Sequence, residues 1–473
     1  MTKRCALWYT YYINCNEYPI RLGVHKEEKV AIFRLSGVHV KHCKNTAKMS
    51  AVRIPVPKTV NVPMSMHIGA PARPIVKVGD EVKVGQLIGE AGAGLSAPVY
   101  SSVSGKVKKI DEMLNIAGGQ IQTILIETDG LQSVDESIAP FEVSTREEFL
   151  DAIAKSGIVG LGGAGFPTLT KLKADISKID TLLINGAECE PYITSDTRTM
   201  IDDAEAVADG IALVKKFLEI KNVVVGIEKN KPECISSMKK ALSGIEGATV
   251  KSLPSVYPQG GEKVLVYHTL GRVIKEGGLP LDCGVIVMNC TTVAKISKFI
   301  RTGMPLVEKC VTVDGSAIKE PKNVIAPIGT PARDLVEFCG GFAEEPRKAL
   351  YGGPMMGIAL TDLSAPVLKQ TNALLVFGEK EATPPPVTPC IKCGRCIDHC
   401  PFGLDPTAIS RAYKANDPET LERLKVNLCM ECGCCSYVCP ARRNIVQRNK
   451  MAKTMLRNFQ IERKKREEAQ KNG

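Results

Sequence analysis

Near its C-terminal end the chain carries two cysteine runs whose spacing suits iron–sulfur chemistry. They read C-I-K-C-G-R-C-I-D-H-C-P from Cys390 and C-M-E-C-G-C-C-S-Y-V-C-P from Cys429. Each is C-x2-C-x2-C-x3-C-P, the spacing by which thiolates hold 4Fe–4S clusters. The close C-x2-C steps let backbone turns aim several thiolates at one cube. Where two such runs occur together, the fourth cysteine of each serves the other cluster. On that rule Cys390, Cys393, Cys396 and Cys439 form one set of metal ligands, and Cys429, Cys432, Cys435 and Cys400 form the other. Cys434 falls off the spacing and is expected to stay unligated. Structural zinc sites need four thiolates each and would not produce the doubled C-P pattern.

A second motif is G-I-V-G-L-G-G-A-G-F-P-T-L-T-K, from Gly157 to Lys171. Glycines at this density let backbone N–H groups approach a phosphate, because no Cβ stands in the way. Alone, such a loop is equally readable as turn chemistry. It is followed by L-L-I-N-G-A-E-C-E-P-Y-I-T-S-D, in which Asn185, Glu188 and Glu190 end an apolar strand. Open α/β sheets bind ligands at strand ends of this kind. The three side chains suit a flavin ring or a nicotinamide ribose; a self-satisfied loop network is the plainer alternative.

The surrounding pattern changes along the chain. Residues 1–30 carry aromatics and two cysteines without recognisable organisation. His25, His39, His42 and Cys43 match no standard metal spacing. From Ile54 to about Asp129, valines alternate with polar residues around turns at Gly79-Asp80 and Gly85, which predicts two successive hairpins. From Thr145 helical and strand patterns alternate, beginning with a helix capped by Ser144 or Thr145, which predicts an open, mostly parallel sheet. From Leu279 to about Leu350 the text is β-rich again, with G-V-I-V-M-N as its first strand. The turn Y-G-G-P-M-M-G follows at Tyr351, its two methionines read as packing residues. T-P-P-P-V-T-P then reads as a semi-rigid spacer ahead of a separately folding Cys390 domain.

Composition limits the function classes. A chain of 473 residues exceeds one domain, and nine of its 18 cysteines lie between Cys390 and Cys439, so a secreted disulfide scaffold is not indicated. No apolar run is long enough to span a bilayer, and the N-terminal stretch lacks the features of a signal peptide. The net charge is +11, and from Arg442 onward 11 basic residues face 3 acidic ones. That basicity is a tail rather than a nucleic-acid-binding face. It suits an acidic redox protein, a partner subunit or an anionic membrane surface, or simply a solvated helix.

Together, G-L-G-G-A-G-F-P-T-x-x-K and N-G-A-E-C-E-P resemble the flavin-binding subunit of respiratory complex I. The N-G-A-E-C-E-P-Y-I-T-S-D form, H-I-G-A-P-A at His67 and the twin cysteine runs resemble more closely the C subunits of Rnf electron-transport complexes, over roughly residues 33–445. The resemblance implies two 4Fe–4S clusters, FMN and NAD(H) as cofactors. Gly160, Gly162, Gly163, Gly165 and Phe166 would form the flavin and nucleotide loop. Lys171 would sit near a phosphate or the nicotinamide, and Asn185, Glu188 and Glu190 would contact flavin and NADH. Y-P-Q-G-G-E-K suggests Tyr257, Gly261 and Glu262 at the flavin, with a looser match at Asn289. Ala187 and Lys263 stand where the complex I pattern has acids. No protein residue is needed as a general acid for hydride transfer; Glu190 and Lys171 would position it.

The fold so implied is multidomain α+β. Residues 31–143 would form a barrel-sandwich domain similar to biotinyl and lipoyl carriers, though without a lysine at the hairpin tip near Pro98 to Ser102. A Rossmann-like FMN/NADH domain would cover 144–277, a β-grasp domain 278–350, a linker 351–389, a two-cluster ferredoxin-like α domain 390–445 and a basic helical tail 446–473. The implied role is a peripheral redox subunit on the cytoplasmic side of the cell (inner) membrane. It would exchange electrons between NADH, FMN and the clusters, directly or indirectly with ferredoxin, alongside the other subunits of an ion-pumping complex. The alternative is a non-catalytic relay and assembly subunit with a vestigial flavin domain.

Overall fold

The computed structural model describes residues 37–114, 119–173 and 175–471; the extension expected over 1–30, with His25, lies outside them. The alternating valines build a two-sheet sandwich. One antiparallel sheet has the order Thr59–Pro63, Gln120–Thr128, Gly105–Leu114, Glu81–Val82, and the other Arg73–Pro74, Leu87–Glu90, Val99–Tyr100. Val60, Val62, Ile88, Val107, Ile124 and Ile126 point into the shared core. Gly79 and Gly85 have φ of 99° and 84°, as their turns require. The two local hairpins do not form as expected. Val99–Tyr100 pairs with Leu87–Glu90, whereas Gly105–Leu114 pairs with Gln120–Thr128 and Glu81–Val82. Alternation fixes which face of a strand is buried and leaves its partner open.

The helix Arg146–Ala154 begins as predicted. Thr145 Oγ1 accepts from the Glu148 N–H at 3.2 Å, and the Glu148 carboxylate accepts from the Thr145 N–H at 3.1 Å. Its Phe149 ring stacks on Phe217 at 4.9 Å, fastening it to the helix Ala204–Phe217.

The central sheet is wholly parallel, in the order Ala248–Leu253, Asn222–Glu228, Thr181–Asn185, Val285–Asn289. Its last strand is the G-V-I-V-M-N segment, which belongs here and not with the later β-rich unit. Val285, Ile286, Val287 and Met288 are all buried, as in a strand covered on both faces. The helix Cys290–Thr302 that follows packs on Ala204–Phe217. Asn289 pairs in register with Asn185. The chain moves outward from Thr181–Asn185 through two strands, then returns to its other side. The crevice between the ends of the Asn185 and Asn289 strands is therefore the topological switch point.

A separate mixed sheet holds Glu308–Asp314, Lys322–Pro327, Lys348–Tyr351 and Ala373–Phe377. The last of these falls within the stretch expected to be a linker; its run A-L-L-V-F is fully buried beside Glu308–Asp314. The cysteine-rich region follows the exposed proline segment and is braced by the helices Pro406–Lys414 and Ile445–Lys471, so the tail is helical as expected. Ala452 and Leu456 of the long helix are buried against Ile409 and Leu421. The proline segment does not isolate this region, and the described residues form one compact unit. Cys432 and Cys434 share a buried cluster with Val38 and Tyr257, an area of apolar contact that outweighs a stiff linker. Among the described residues no helix is long and apolar enough to cross a membrane.

Candidate functional site

A cavity of about 550 Å³ opens at the switch point, within the range of small-molecule and cofactor sites. Gly162, Gly163 and Ala164 line one side, and Asn185, Glu188 and Glu190 the floor. Tyr257, Gly261 and Glu262 line another wall, with Asn289, part of the Tyr351 turn and Met430 completing it. Nine of the residues read from the sequence are thus brought together. Gly160, Gly165, Phe166 and Lys171 are not among the lining residues and act behind them.

The glycine loop is closed at its base. The Gly160 N–H donates to the Phe166 carbonyl at 2.8 Å and the Gly165 N–H to the Gly160 carbonyl at 3.1 Å, so the tip at 162–164 projects. Gly163 has φ +122°, and a Cβ there would meet no protein atom within 4 Å. A Cβ on Gly162 would stand 3.2 Å from Asn289 Nδ2. Lys171 donates to the Val287 carbonyl at 2.8 Å and pairs with Glu262 at 3.2 Å, tying the helix after the loop to the cavity wall. Its ammonium lies 5.9 Å from the Phe166 ring centroid. Lys263 points elsewhere, to the Lys275 carbonyl.

The acids are more constrained than their positions in sequence suggest. The Glu188 carboxylate accepts from the N–H groups of Asp196 (2.8 Å) and Thr197 (3.2 Å) at the start of the helix Ser195–Asp202. These bonds anchor it on a helix N-terminus while it still lines the cavity. Glu190 accepts from the N–H groups of Met355 (3.1 Å) and Met356 (2.8 Å), and burial pushes its carboxyl up to about 7 against those bonds. The two methionines read as packing thus supply backbone donors to an acid at the site. Asn185 donates to the Gly260 carbonyl at 2.9 Å and accepts from the Ala187 N–H at 3.1 Å. Asn289 donates to Asp196 at 2.7 Å.

Several residues were missed in the sequence. Lys44 donates to the carbonyls of Glu188 and Glu190, each at 2.8 Å, pinning the acidic segment from below. It lies in K-H-C-K-N, where only His and Cys drew notice. Gln370 lines the cavity with its Oε1 buried and without a partner among the described residues. The bare Gly163 tip and the polar floor of a cavity this size make it a fit for FMN.

Lys369 is buried and donates to the Pro98 carbonyl at 2.6 Å and the Gly157 carbonyl at 2.8 Å, joining the sandwich to the root of the glycine loop. The loop's far end is held by the Ile68 N–H on the Gly165 carbonyl at 3.0 Å. Burial lowers the Lys369 amine to about 7. Between that value and the ordinary lysine range the unfolded chain binds the extra proton, so stability should rise with pH there. In denaturant melts at about pH 7 and about pH 10, Lys369→Met should lose this rise relative to the parent; identical pH slopes in both would refute the assignment.

The cysteines separate into two cavities. Cys390, Cys393, Cys396 and Cys439 line one, and Cys400, Cys429, Cys432 and Cys435 the other, each set drawing one member from the opposite run. The turns repeat: Lys392 and Glu431, and Gly394 and Gly433, hold left-handed φ at matching positions. Among the described residues no three His, Cys, Asp or Glu side chains are grouped so as to hold a metal ion, and the two cysteine sets line separate cavities. Cys434 also borders the second cavity, but its Sγ faces the Tyr257 carbonyl at 3.9 Å. Cys434→Ser should therefore leave the iron content per chain unchanged, and loss of half of it would overturn the ligand assignment.

The two kinds of cavity adjoin. Met430, inside the second run, lines both the large cavity and the second-run one. The Tyr257 hydroxyl donates to the Cys432 carbonyl at 2.7 Å.

Four family models match the chain: RnfC Barrel sandwich hybrid domain over residues 33–131, Nuo51 FMN-binding domain over 153–298, SLBB domain over 310–359 and 4Fe-4S dicluster domain over 389–444. The chain is 42% identical to the C subunit of the proton-translocating ferredoxin:NAD(+) oxidoreductase complex of Clostridium ljungdahlii, across 79% of this chain and 83% of that one. Identity is 41% to the Na(+)-translocating counterpart of Acetobacterium woodii, across 78% and 85%. It is 38% to the C subunit of the ion-translocating oxidoreductase complex of Rhodobacter capsulatus, across 85% and 76%. A solved NAD+-reducing [NiFe]-hydrogenase chain aligns with 64% of this chain and 61% of its own at 18% identity and a TM-score of 0.47. With a barrel-sandwich, an FMN-binding, an SLBB and a dicluster region in this order, and with relatives so similar over most of both lengths, the chain belongs to the family of C subunits of ion-translocating ferredoxin:NAD oxidoreductase complexes.

Proposed function

We propose that this chain is the NADH-oxidising, or NAD-reducing, peripheral subunit of an ion-translocating ferredoxin:NAD oxidoreductase complex. The cavity at the switch point would hold FMN, with NAD(H) against it. The observation that carries this reading is the shared wall: Met430 borders both that cavity and the one lined by Cys400, Cys429, Cys432 and Cys435. When bound, FMN takes two electrons as a hydride and releases them singly, whereas each cluster carries one. The chain's own residues supply the rest. Gly162 and Gly163 leave room for a ring or phosphate to approach the loop. Asn185 and Asn289 stiffen the two strand ends. Tyr257 fixes the Cys432 backbone against the cavity wall. Lys171, held on Glu262, stands behind the rim and sets its position, the role expected for positioning hydride transfer alongside Glu190.

Domain limits follow from the same reading. The sandwich would occupy 31–143, and the FMN region 144 to about 303, so that it keeps the Val285–Asn289 strand. A β-grasp unit would extend to about 378, and the two-cluster ferredoxin-like region would run from 390 into the long basic helix. Association with the membrane on its cytoplasmic side would come from the other subunits.

Titration of the purified chain with FMN should quench flavin fluorescence saturably at one site per chain. Absence of saturable binding would favour the relay and assembly role, for which Ala187, lining the cavity in place of an acid, is the supporting feature.

A further inference from the structure

Two of the four first-run cysteines face outward, as none of the second run does. Cys390 and Cys393 are exposed, while Cys432 and Cys435 are buried. The cavity they line is walled by Lys392, Arg411, Lys414, Arg443 and Arg448. Its one carboxylate, Asp405, is occupied in capping the helix Pro406–Lys414 through the N–H groups of Thr407 and Ala408, each at 2.9 Å. Lys392, Arg411 and Lys414 are exposed, and among the described residues none of the five cations forms an ion pair. Between them Ile391 is 68% exposed and Ile397 38%. An apolar centre rimmed by unpaired charge of one sign is the make-up of a transient docking face.

We propose that this basic collar is the docking surface for an acidic redox protein domain, at the cysteine set whose cavity shares no lining residue with the flavin cavity. The proposal rests on the reading that the four cysteines hold a cluster, whose edge the exposed thiols would bring to the surface. Charge complementarity selects the occupant. Arg411 and Lys414 stand on the exposed last turn of the helix Pro406–Lys414, where a partner can reach them.

The test uses the full chain, reconstituted anaerobically, and a purified acidic two-cluster ferredoxin in its oxidised form as probe. Binding is followed by biolayer interferometry between about 0.01 M and about 1 M salt. Arg411→Glu with Lys414→Glu should weaken ferredoxin binding about tenfold at low salt and flatten its salt dependence. Arg411→Lys with Lys414→Arg should restore both, and iron content should match the parent throughout. Lys414→Glu alone, run in parallel, should give a smaller loss of the same sign and stands in if the double variant loses iron. Unchanged ferredoxin affinity in the charge-reversed chains overturns the proposal. So does loss of binding to phosphatidylglycerol vesicles with ferredoxin binding intact, which would make the collar a membrane face. Charge-dependent ferredoxin binding by a chain that neither retains FMN nor reacts with NADH would leave the docking surface standing and defeat the proposed function instead.

Discussion

Gly163→Val should strip FMN from the chain while leaving roughly eight irons in place, the content of two 4Fe–4S clusters. Two effects act together. The backbone at Gly163 has φ +122°, a region closed to a β-branched residue, and holding it there costs about 1–3 kcal/mol. The new side chain would also project where no protein atom lies within 4 Å, into the space proposed for the cofactor. Affinity should fall at least about tenfold, since about 1.4 kcal/mol is a factor of ten. Gly244, which also has open space around its Cβ position but lies far from the cavity in sequence, serves as control: Gly244→Ala should retain flavin. FMN released on denaturation, measured by fluorescence and set against iron content, reads the outcome. A valine variant with full flavin would remove the loop from the site.

The second large effect separates the cysteine sets. Cys400→Ser lies in the first run but should abolish the second-run cluster, whereas Cys439→Ser lies in the second run and should abolish the first-run cluster. Each should lose roughly four irons per chain. The crossing follows from the cavities, where Cys400 joins Cys429, Cys432 and Cys435, and Cys439 joins Cys390, Cys393 and Cys396. The two variants should then differ in kind. With Cys439→Ser the remaining cluster still borders the flavin cavity through Met430 and should be reduced promptly by NADH. With Cys400→Ser the remaining cluster is the outward one, and its reduction should be slow although the flavin is reduced normally. Electron paramagnetic resonance after rapid mixing distinguishes them, and equal rates in both variants would contradict the order of the centres.

Motifs whose chemistry depends on local spacing are legible in the sequence. The ligand sets, the glycine loop, Thr145 as a cap and the helical tail all depend on residues near one another along the chain. The features that sequence reasoning misplaces depend on distant partners. Val285–Asn289 reads as the start of a β-rich unit because an apolar run does not name its sheet. The sandwich turns at Gly79 and Gly85 are evident, but their strands find partners across two sheets. Glu188 lines the cavity as its type and place suggest, but the hold that the start of a helix has on its carboxylate is not visible in the sequence. Lys44, Lys369 and Gln370 come from segments far from the motifs and are invisible for that reason. The proline spacer implies an independence that the Tyr257–Cys432 hydrogen bond and its buried surroundings exclude.

Electrons should pass between NADH and the clusters of this one chain through the cavity beside Met430. The direct measurement is anaerobic rapid-mixing absorbance of the FMN-loaded, fully iron-loaded chain with NADH. The flavin's visible band should bleach first and cluster absorbance fall afterwards, and neither change should occur in Gly163→Val. Full clusters and bound FMN that remain oxidised under excess NADH, or cluster reduction that proceeds equally without flavin, would contradict this route.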